Sequence, residues 1–406
     1  QHCLLFVRDF NAILNSSGLQ ACGAVVQRNG FVTGTNFDLG DSILGVYSRV
    51  LSYARHRNEP HCDDDRGQYS GGRSCSEIWA TRLKYLSLMM LLVMSWALLP
   101  ARTQAGSVKV ALFHTDLSRA TPAKLLRDLL DETPDDIQLT VDRIVAADAD
   151  ILIVGDIDDD RDHLAADAFR QRIATAGRAY PHMAVLRSNG GRLLASHRTA
   201  GYGDFHGDGA VVVLSRYEIT QVHDLQDWTC AQVQCHFDTD PSMVLSSRLM
   251  GMAGIMGPTG PMWIGITHAT PPVFDGPEDR NGWRNFDQLM FWRDVLDRRY
   301  DLPRPDVIAL LANIDPAVGE GTKEGIQTVI TDPRLRDSAP QGCHYLLGCS
   351  SVTAYWPVPG PGAMRTDYLL PAREWAIVQS GLSWGTPSPD ESRHALVWMQ
   401  LEEEAH

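Results

Sequence analysis

Six separate stretches of this chain place a histidine, an acid or a carboxamide at the end of an apolar run. His114 follows "SVKVALF", Asp156 and Asp158 follow "ILIVG", and His268 follows "MWIGIT". Asn313 and Asp315 close "VIALLA", Asp367 opens "DYLLP", and His394 directly precedes "ALVWMQL". A carboxylate of this kind can hold a divalent cation, a carboxamide can orient a nucleophile, and a histidine can move a proton or meet a phosphate oxygen. Taken singly, each is more often a solvated turn residue. Their chemistry depends on strands lying side by side, so that six chain segments deliver their polar ends to one edge.

The elements needed for that are legible in the apolar periodicity. "SVKVALF" alternates Val108, Val110 and Leu112 and predicts a strand, as do "ADILIVGD", "GAVVVLSRY", "MWIGITH", "DVIALLANID", "TDYLLP", "WAIVQSG" and "ALVWMQL". "TPAKLLRDLLDE" predicts a helix with Thr121 as N-cap, Pro122 at the first helical position and Leu125, Leu126, Leu129 and Leu130 on one face. "AADAFRQRIATAG", "NFDQLMFWRDVLDRRY" (capped by Asn285) and "TKEGIQTVITD" predict three more helices. Strands outnumber helices toward the C-terminus. The expected fold class is therefore α+β: a two-sheet β-sandwich core flanked by helices on both outer faces. A glycine-rich dinucleotide fingerprint, a P-loop and a nucleophile elbow are all missing from the sequence.

One loop is unusually polar. "HATPPVFDGPEDRNGWRN", from His268 to Asn285, has only Val273, Phe274 and Trp283 as large apolar residues among its eighteen. It is either a surface connection or the rim of a site. "GYGDFHGDG" (201–209) is rich enough in glycine to approach a phosphate closely, although a plain turn explains it too. Trp263, Trp283, Trp292 and Trp398 are spaced as core residues rather than as a stacking platform.

Composition bounds the rest. At 406 residues, 44% hydrophobic and 21% charged, the chain has the makeup of a globular protein, and its formal net charge of −14 argues against tight, counterion-driven polyanion binding. Arg82 and Lys84 precede an apolar run from Tyr85 to Leu99, which ends at Pro100 and the small residues of "TQA". That is the layout of a secretory signal, and the run of ~15 residues falls short of the ~20 a spanning helix needs. We therefore expect 85–105 to be signal-peptide-like, the protein to be exported (periplasmic or extracellular) without a stable membrane span, and 106–406 to form the working domain. Residues 1–84 contain no methionine and read as upstream sequence outside that domain. Of eight cysteines, Cys230, Cys235, Cys343 and Cys349 fall after 105, spaced for two local loops if the compartment permits disulfides.

The order and wording of these blocks resemble the endonuclease/exonuclease/phosphatase family, the deoxyribonuclease I-like superfamily, in a bacterial exported branch. The likeness runs from about Val108 to Leu401 through "FHTDLSR", "DADILIVGDID", "GYGDFHGDGAVVVLSRY", "THATPPVFDGPEDRNGWRN", "LLANIDPAVGEG", "RTDYLLP" and "SRHALVW". It implies a four-layer sandwich and a monomer that hydrolyses a phosphoester, in nucleic acid or a small phosphorylated molecule, with a divalent metal, Mg2+ or alternatively Mn2+. It also implies roles. His268 matches the histidine that contacts the scissile phosphate, His394 the C-terminal histidine, Asp367 the aspartate that orients it, and Asn313 the asparagine of the Asp-x-Asn block. Asp156, Asp158 and Asp315 are then the candidate metal ligands. His114, Asp279, Arg280 and Asn281 are candidate substrate contacts, the last three equally able to shape the loop.

The departures are substantial. His114 stands where the family has asparagine, Asp156 or Asp158 where it has glutamate, and Leu311 where it has the aspartate of Asp-x-Asn. The Asp-x-Asn in "RDFNAIL" (Asp9, Asn11) is out of order and reads as coincidence. Two functions follow: a phosphoester hydrolase weakened by Leu311, or a degenerate member that binds a phosphorylated ligand or partner without turnover. A secreted structural or adhesion module is a third and lesser reading. A cluster of Asp156 or Asp158 with His114, Asn313 and His394 would favour the enzyme, and Leu311 walling the cleft would favour the degenerate reading.

Overall fold

A computed structural model of the chain describes residues 106–404, apart from 132–133, 314 and 320. The signal-like segment, the stretch before it with Asp9 and Asn11, and Cys3, Cys22, Cys62 and Cys75 lie outside the described residues.

The alternation in "SVKVALF" sends side chains to two different cores. Strand β1 (Ser107–His114) turns Val108, Val110 and Leu112 to one face and Ala111 and Phe113 to the other, and all five are fully buried. A strand apolar on both faces must be covered on both, which places it in the interior of a layered fold. The same holds for β2 (Ile151–Ile157), with Ile151 and Ile153 on one side and Leu152 and Val154 on the other.

Two sheets result. The first also contains β3 (His182–Leu186), β4 (Ala210–Ser215), β14 (Trp375–Ser383) and β15 (Leu396–Glu403), in the order β14-β15-β1-β2-β4-β3. The second contains β5 (Ile219–Asp224), β6 (Leu249–Met256), β7 (Pro261–His268), β8 (Val307–Leu311) and β13 (Tyr368–Pro371), in the order β13-β8-β7-β6-β5. Two small hairpins, β9 (Gly342–His344) with β10 (Gly348–Ser350) and β11 (Ala354–Trp356) with β12 (Gly362–Met364), decorate one end. The sheets pack face to face through Val110, Leu112, Ile153, Val213, Ile264, Ile266, Ala309 and Val397.

Helices cover the outer faces. Leu125 and Leu129 of α1 (Lys124–Leu130), Ile137, Val141 and Ile144 of α2 (Asp135–Ala147), and Phe169 and Ile173 of α3 (Leu164–Thr175) seal the first sheet. Leu289, Trp292 and Val295 of α4 (Arg280–Leu296), with Ile326 and Val329 of α5 (Glu324–Ile330), seal the second. This is the α+β two-sheet sandwich with helices on both outer faces that the sequence implies. Among the described residues, no helix is long and apolar enough to cross a membrane. Cys230 is bonded to Cys235, and Cys343 to Cys349.

Two helix starts differ from the sequence reading. The first helix begins at Lys124, preceded by Ala123 in a left-handed conformation, so Thr121 contributes only a backbone carbonyl, 3.3 Å from Lys124 N. The fourth begins at Arg280 after Asp279. Asn285 is therefore not its cap but a buried residue inside it, with Nδ2 donating to Thr270 O at 2.7 Å.

Leu311 is fully buried in the core between the sheets, among apolar neighbours. Gly155 makes that possible, because a Cβ there would sit 2.3 Å from Leu311 Cδ2. Overpacking of this kind costs about 1–3 kcal/mol. Gly155→Ala should lower stability by that much in urea titrations, and Gly155→Ala with Leu311→Ala should lose less than the sum of the two single losses.

Candidate functional site

The parallel pairing of β1 with β2 and of β7 with β8 explains the convergence of polar residues. His114 lies in register with Gly155, and His268 with Leu311, so each pair of strands ends at the same height. The antiparallel neighbours β15 and β13 begin where β1 and β8 end, with Leu112 beside Val397 and Tyr368 beside Leu310. His394 and Asp367, just before those two strands, therefore arrive at the same edge. Asp156 is turned into the site by a bulge in which it alone steps out of register with β4. Its φ of 64° is a left-handed conformation that aspartate tolerates better than most residues and that recurs at functional sites.

The centre is a row of three imidazoles, set edge-on or tilted to one another, with two carboxylates beside them. The His114 and His394 ring centroids are 4.1 Å apart, and those of His114 and His268 are 5.1 Å apart. His394 Nδ1 lies 2.7 Å from Asp367 Oδ2, and His114 Nε2 lies 3.4 Å from Asp156 Oδ2. All five side chains are buried. Asp367 is itself held: Ala312 N donates to Oδ1 at 3.0 Å, and Thr366 Oγ1 donates to Oδ2 at 3.0 Å. Asn313 is buried beside them, its Oδ1 accepting from Asn285 Nδ2 at 3.3 Å. Gly209 (φ 68°) lets Arg248 approach, since a Cβ there would lie 2.5 Å from Arg248 Nη1 and 2.8 Å from Asp156 Oδ1.

Electrostatics separates the three histidines. Burial pushes His114 down, but the charge and hydrogen bond of Asp156, with Asp116 and Asp367 beyond, outweigh it and raise His114 to about 9. Burial pushes His268 down to about 3, with the positive charges of His114 and Arg248 adding to the shift. Burial alone would raise Asp156, yet His114, Arg248 and His268 hold it well below the usual carboxylate range. Asp367 is likewise burdened by burial and is brought down to about 2 chiefly by His394.

Other predicted residues stand apart. Asp158 faces Ser118 Oγ and accepts from Arg119 N at 2.9 Å, and burial raises it to about 6. Asp315 folds its own loop, accepting from Ala317 N at 2.7 Å and Arg365 N at 2.9 Å. Neither joins the metal-type donor groups among the described residues, which are His114 with Asp156 and His268, and His114 with Asp367 and His394. Asp279 accepts from Thr322 Oγ1 at 2.5 Å, and Asn281 Nδ2 donates to Val273 O at 2.8 Å, so both shape the polar loop. Arg280 reaches Asp238 Oδ2 at 2.6 Å, and Arg280, Asn281 and His268 all line a cavity of about 480 Å3. The long loop is thus a rim.

Sequence reasoning missed Arg248, whose Nη1 is 3.2 Å from Asp208 Oδ1, and Asp116, which receives Arg393 N at 3.0 Å. No local pattern marks them, because their partners are distant in the chain. Three buried atoms at the centre have no hydrogen-bond partner among the described residues: His114 Nδ1, Asp156 Oδ1 and His268 Nδ1. Orphaned buried polar atoms of this kind ask for a further ligand.

No protein-family model matches the chain, and no curated protein matches it. Among solved structures it is similar to an endonuclease/exonuclease/phosphatase from Beutenbergia cavernae DSM 12333, at 16% identity and a TM-score of 0.46, covering 74% of this chain and 72% of that one. It is similar to the human Nocturnin catalytic domain with bound sulfate, at 12% identity and a TM-score of 0.46, covering 74% and 95%. A 3′ phosphatase from Neisseria bound to a product DNA hairpin is similar at 16% identity and a TM-score of 0.44, covering 73% and 100%.

Asp238 anchors the rim through Arg198 and Arg280. Burial would raise its carboxyl, but those two guanidinium groups hold it well below its ordinary range. A depressed carboxylate contributes stability that is present above its unfolded value and lost as the pH falls through the folded one. Asp238→Asn should destabilise by about 1–2 kcal/mol at pH 7, allowing for solvent screening. That difference should shrink once thermal melts are run below about pH 4.

Proposed function

We propose that the chain is an exported member of the endonuclease/exonuclease/phosphatase family that hydrolyses a phosphoester with the help of a divalent metal. The observation that carries this reading is the buried His394–Asp367 pair facing His114, His268 and Asp156 at one strand edge. The two disulfides and the signal-like segment support export.

The orphaned atoms of His114, Asp156 and His268 fit a cation, and these three would hold it once His114 has given up its second proton. When bound, it would polarise a phosphoryl oxygen and acidify water. Two imidazoles with one carboxylate draw the site away from the all-oxygen preference of Mg2+, with Mn2+ among the ions to test. The protein's own groups account for the proton. Asp367 accepts from His394 Nδ1 and so leaves Nε2 as the basic nitrogen, able to take a proton from an attacking water. The same carboxylate then stabilises the imidazolium. Arg248 faces the cavity and would orient the phosphoryl oxygens.

The degenerate reading has one observation in its favour: Leu311 is sealed into the apolar core, where no acid reaches the centre from β8. Hydrolysis of bis-p-nitrophenyl phosphate decides between them. The full chain with Mn2+ or Mg2+ should turn it over, and His394→Ala should lower the rate by about 10²–10⁴-fold. Asp367→Asn should lower kcat while leaving the fold intact, and dialysis against a chelator should remove activity that added metal restores. Folded protein without metal-dependent turnover would establish the binding-only reading instead.

A further inference from the structure

The cavity beside His268 has no acidic residue in its lining, although the chain as a whole carries a formal charge of −14. It is lined instead by Arg248, Arg280 and Arg284, with Tyr202 and Phe274 at 84% and 92% exposure on its rim. Arg248 and Arg280 have carboxylate partners in Asp208 and Asp238. Arg284 does not: among the described residues its guanidinium donates to the carbonyls of Leu245 (Nε, 3.0 Å) and Val244 (Nη2, 2.8 Å) and forms no ion pair. It is 4% exposed and stacks on Phe237 with Cζ 4.8 Å from the ring centroid. The charge of Asp238 is felt at Arg284, but that carboxylate is already shared by Arg198 and Arg280.

A buried guanidinium without a counter-anion is costly, and an anion in the cavity would offset that cost. Guanidinium is also the group best shaped to meet a phosphoryl group by paired hydrogen bonds. His268 belongs both to this cavity and to the histidine centre, so the two adjoin.

We propose that this cavity binds a second phosphoryl group of the substrate, one other than the group hydrolysed, so that the natural substrate carries at least two. The proposal rests on the phosphoester-hydrolase reading of the centre and narrows its substrate class. Tyr202 and Phe274 would cover whatever joins the two groups.

Isothermal titration of the full chain bearing His394→Ala, chosen to suppress turnover, tests this. The probes are adenosine 3′,5′-bisphosphate and adenosine 5′-monophosphate. The bisphosphate should bind at least about tenfold more tightly, and Arg284→Gln should abolish the preference. Because Arg284 is buried, Arg280→Gln serves as a second variant whose folding is less at risk, and circular dichroism verifies both. Equal affinities for the two probes, or a preference that survives both substitutions, would overturn the proposal. Turnover of bis-p-nitrophenyl phosphate, which has a single phosphoryl group, reports on the hydrolase reading alone. Turnover with equal affinities thus removes the second subsite and spares the enzyme, whereas a bisphosphate preference without turnover keeps the anion subsite and removes the enzyme.

Discussion

Buried charge has to meet opposite charge, and the candidate site is organised by that requirement. Five ionisable side chains lie within a few ångströms of one another, each largely out of contact with water. Such a group is tolerable because His394 faces Asp367 and His114 faces Asp156, with His268 left as the one member without a carboxylate of its own. The pairing also differentiates chemically similar residues. His114 is driven toward the charged form by its carboxylate, while His268, without one of its own and beside two cations, is driven toward the neutral form. One centre thereby holds an imidazolium and a neutral imidazole at the same pH.

The pairing depends in turn on sheet topology. Parallel neighbours end at the same height, so β1 with β2 and β7 with β8 each present two strand ends together. Face-to-face packing through the shared core then brings the two sets of ends into contact range. The inter-sheet core, including Leu311 against Gly155, is the floor on which the site stands. A leucine at that position adds packing where the floor needs it, and Asp156, displaced from the ladder by its bulge, is the carboxylate that stands beside both His114 and His268.

What was legible in the sequence follows from the same physics. An alternating run marked β1 and short apolar runs marked β2, β7, β8 and β15, and the polar residue closing or preceding each run gave His114, Asp156, His268, Asn313 and His394. Strand β6 was harder to see, because Gly251, Gly254 and three methionines dilute its pattern. Helix α2 carried a signal that was not used: Pro134 before Asp135 and Asp136, a proline and two acids at a helix start. Asp158 and Asp315 had the right residue type and the right distance along the chain. A strand end sets position but not aim, and local hydrogen bonds turn both carboxylates aside.

The arginines mark where sequence reading stops. Arg248 meets the carbonyl and carboxylate of Asp208 forty residues away, and Arg284 meets carbonyls at similar separations. Nothing in "SSRLM" or "NGWRN" distinguishes them from surface arginines. Their meaning comes from a sum over the fold: acids are abundant in the chain and absent from this cavity. An acid-free, arginine-lined cavity beside a histidine centre can attract an anion at short range, while a net charge of −14 disfavours extended polyanions. Long-range repulsion with short-range attraction suits a compact, multiply charged ligand better than a long polymer.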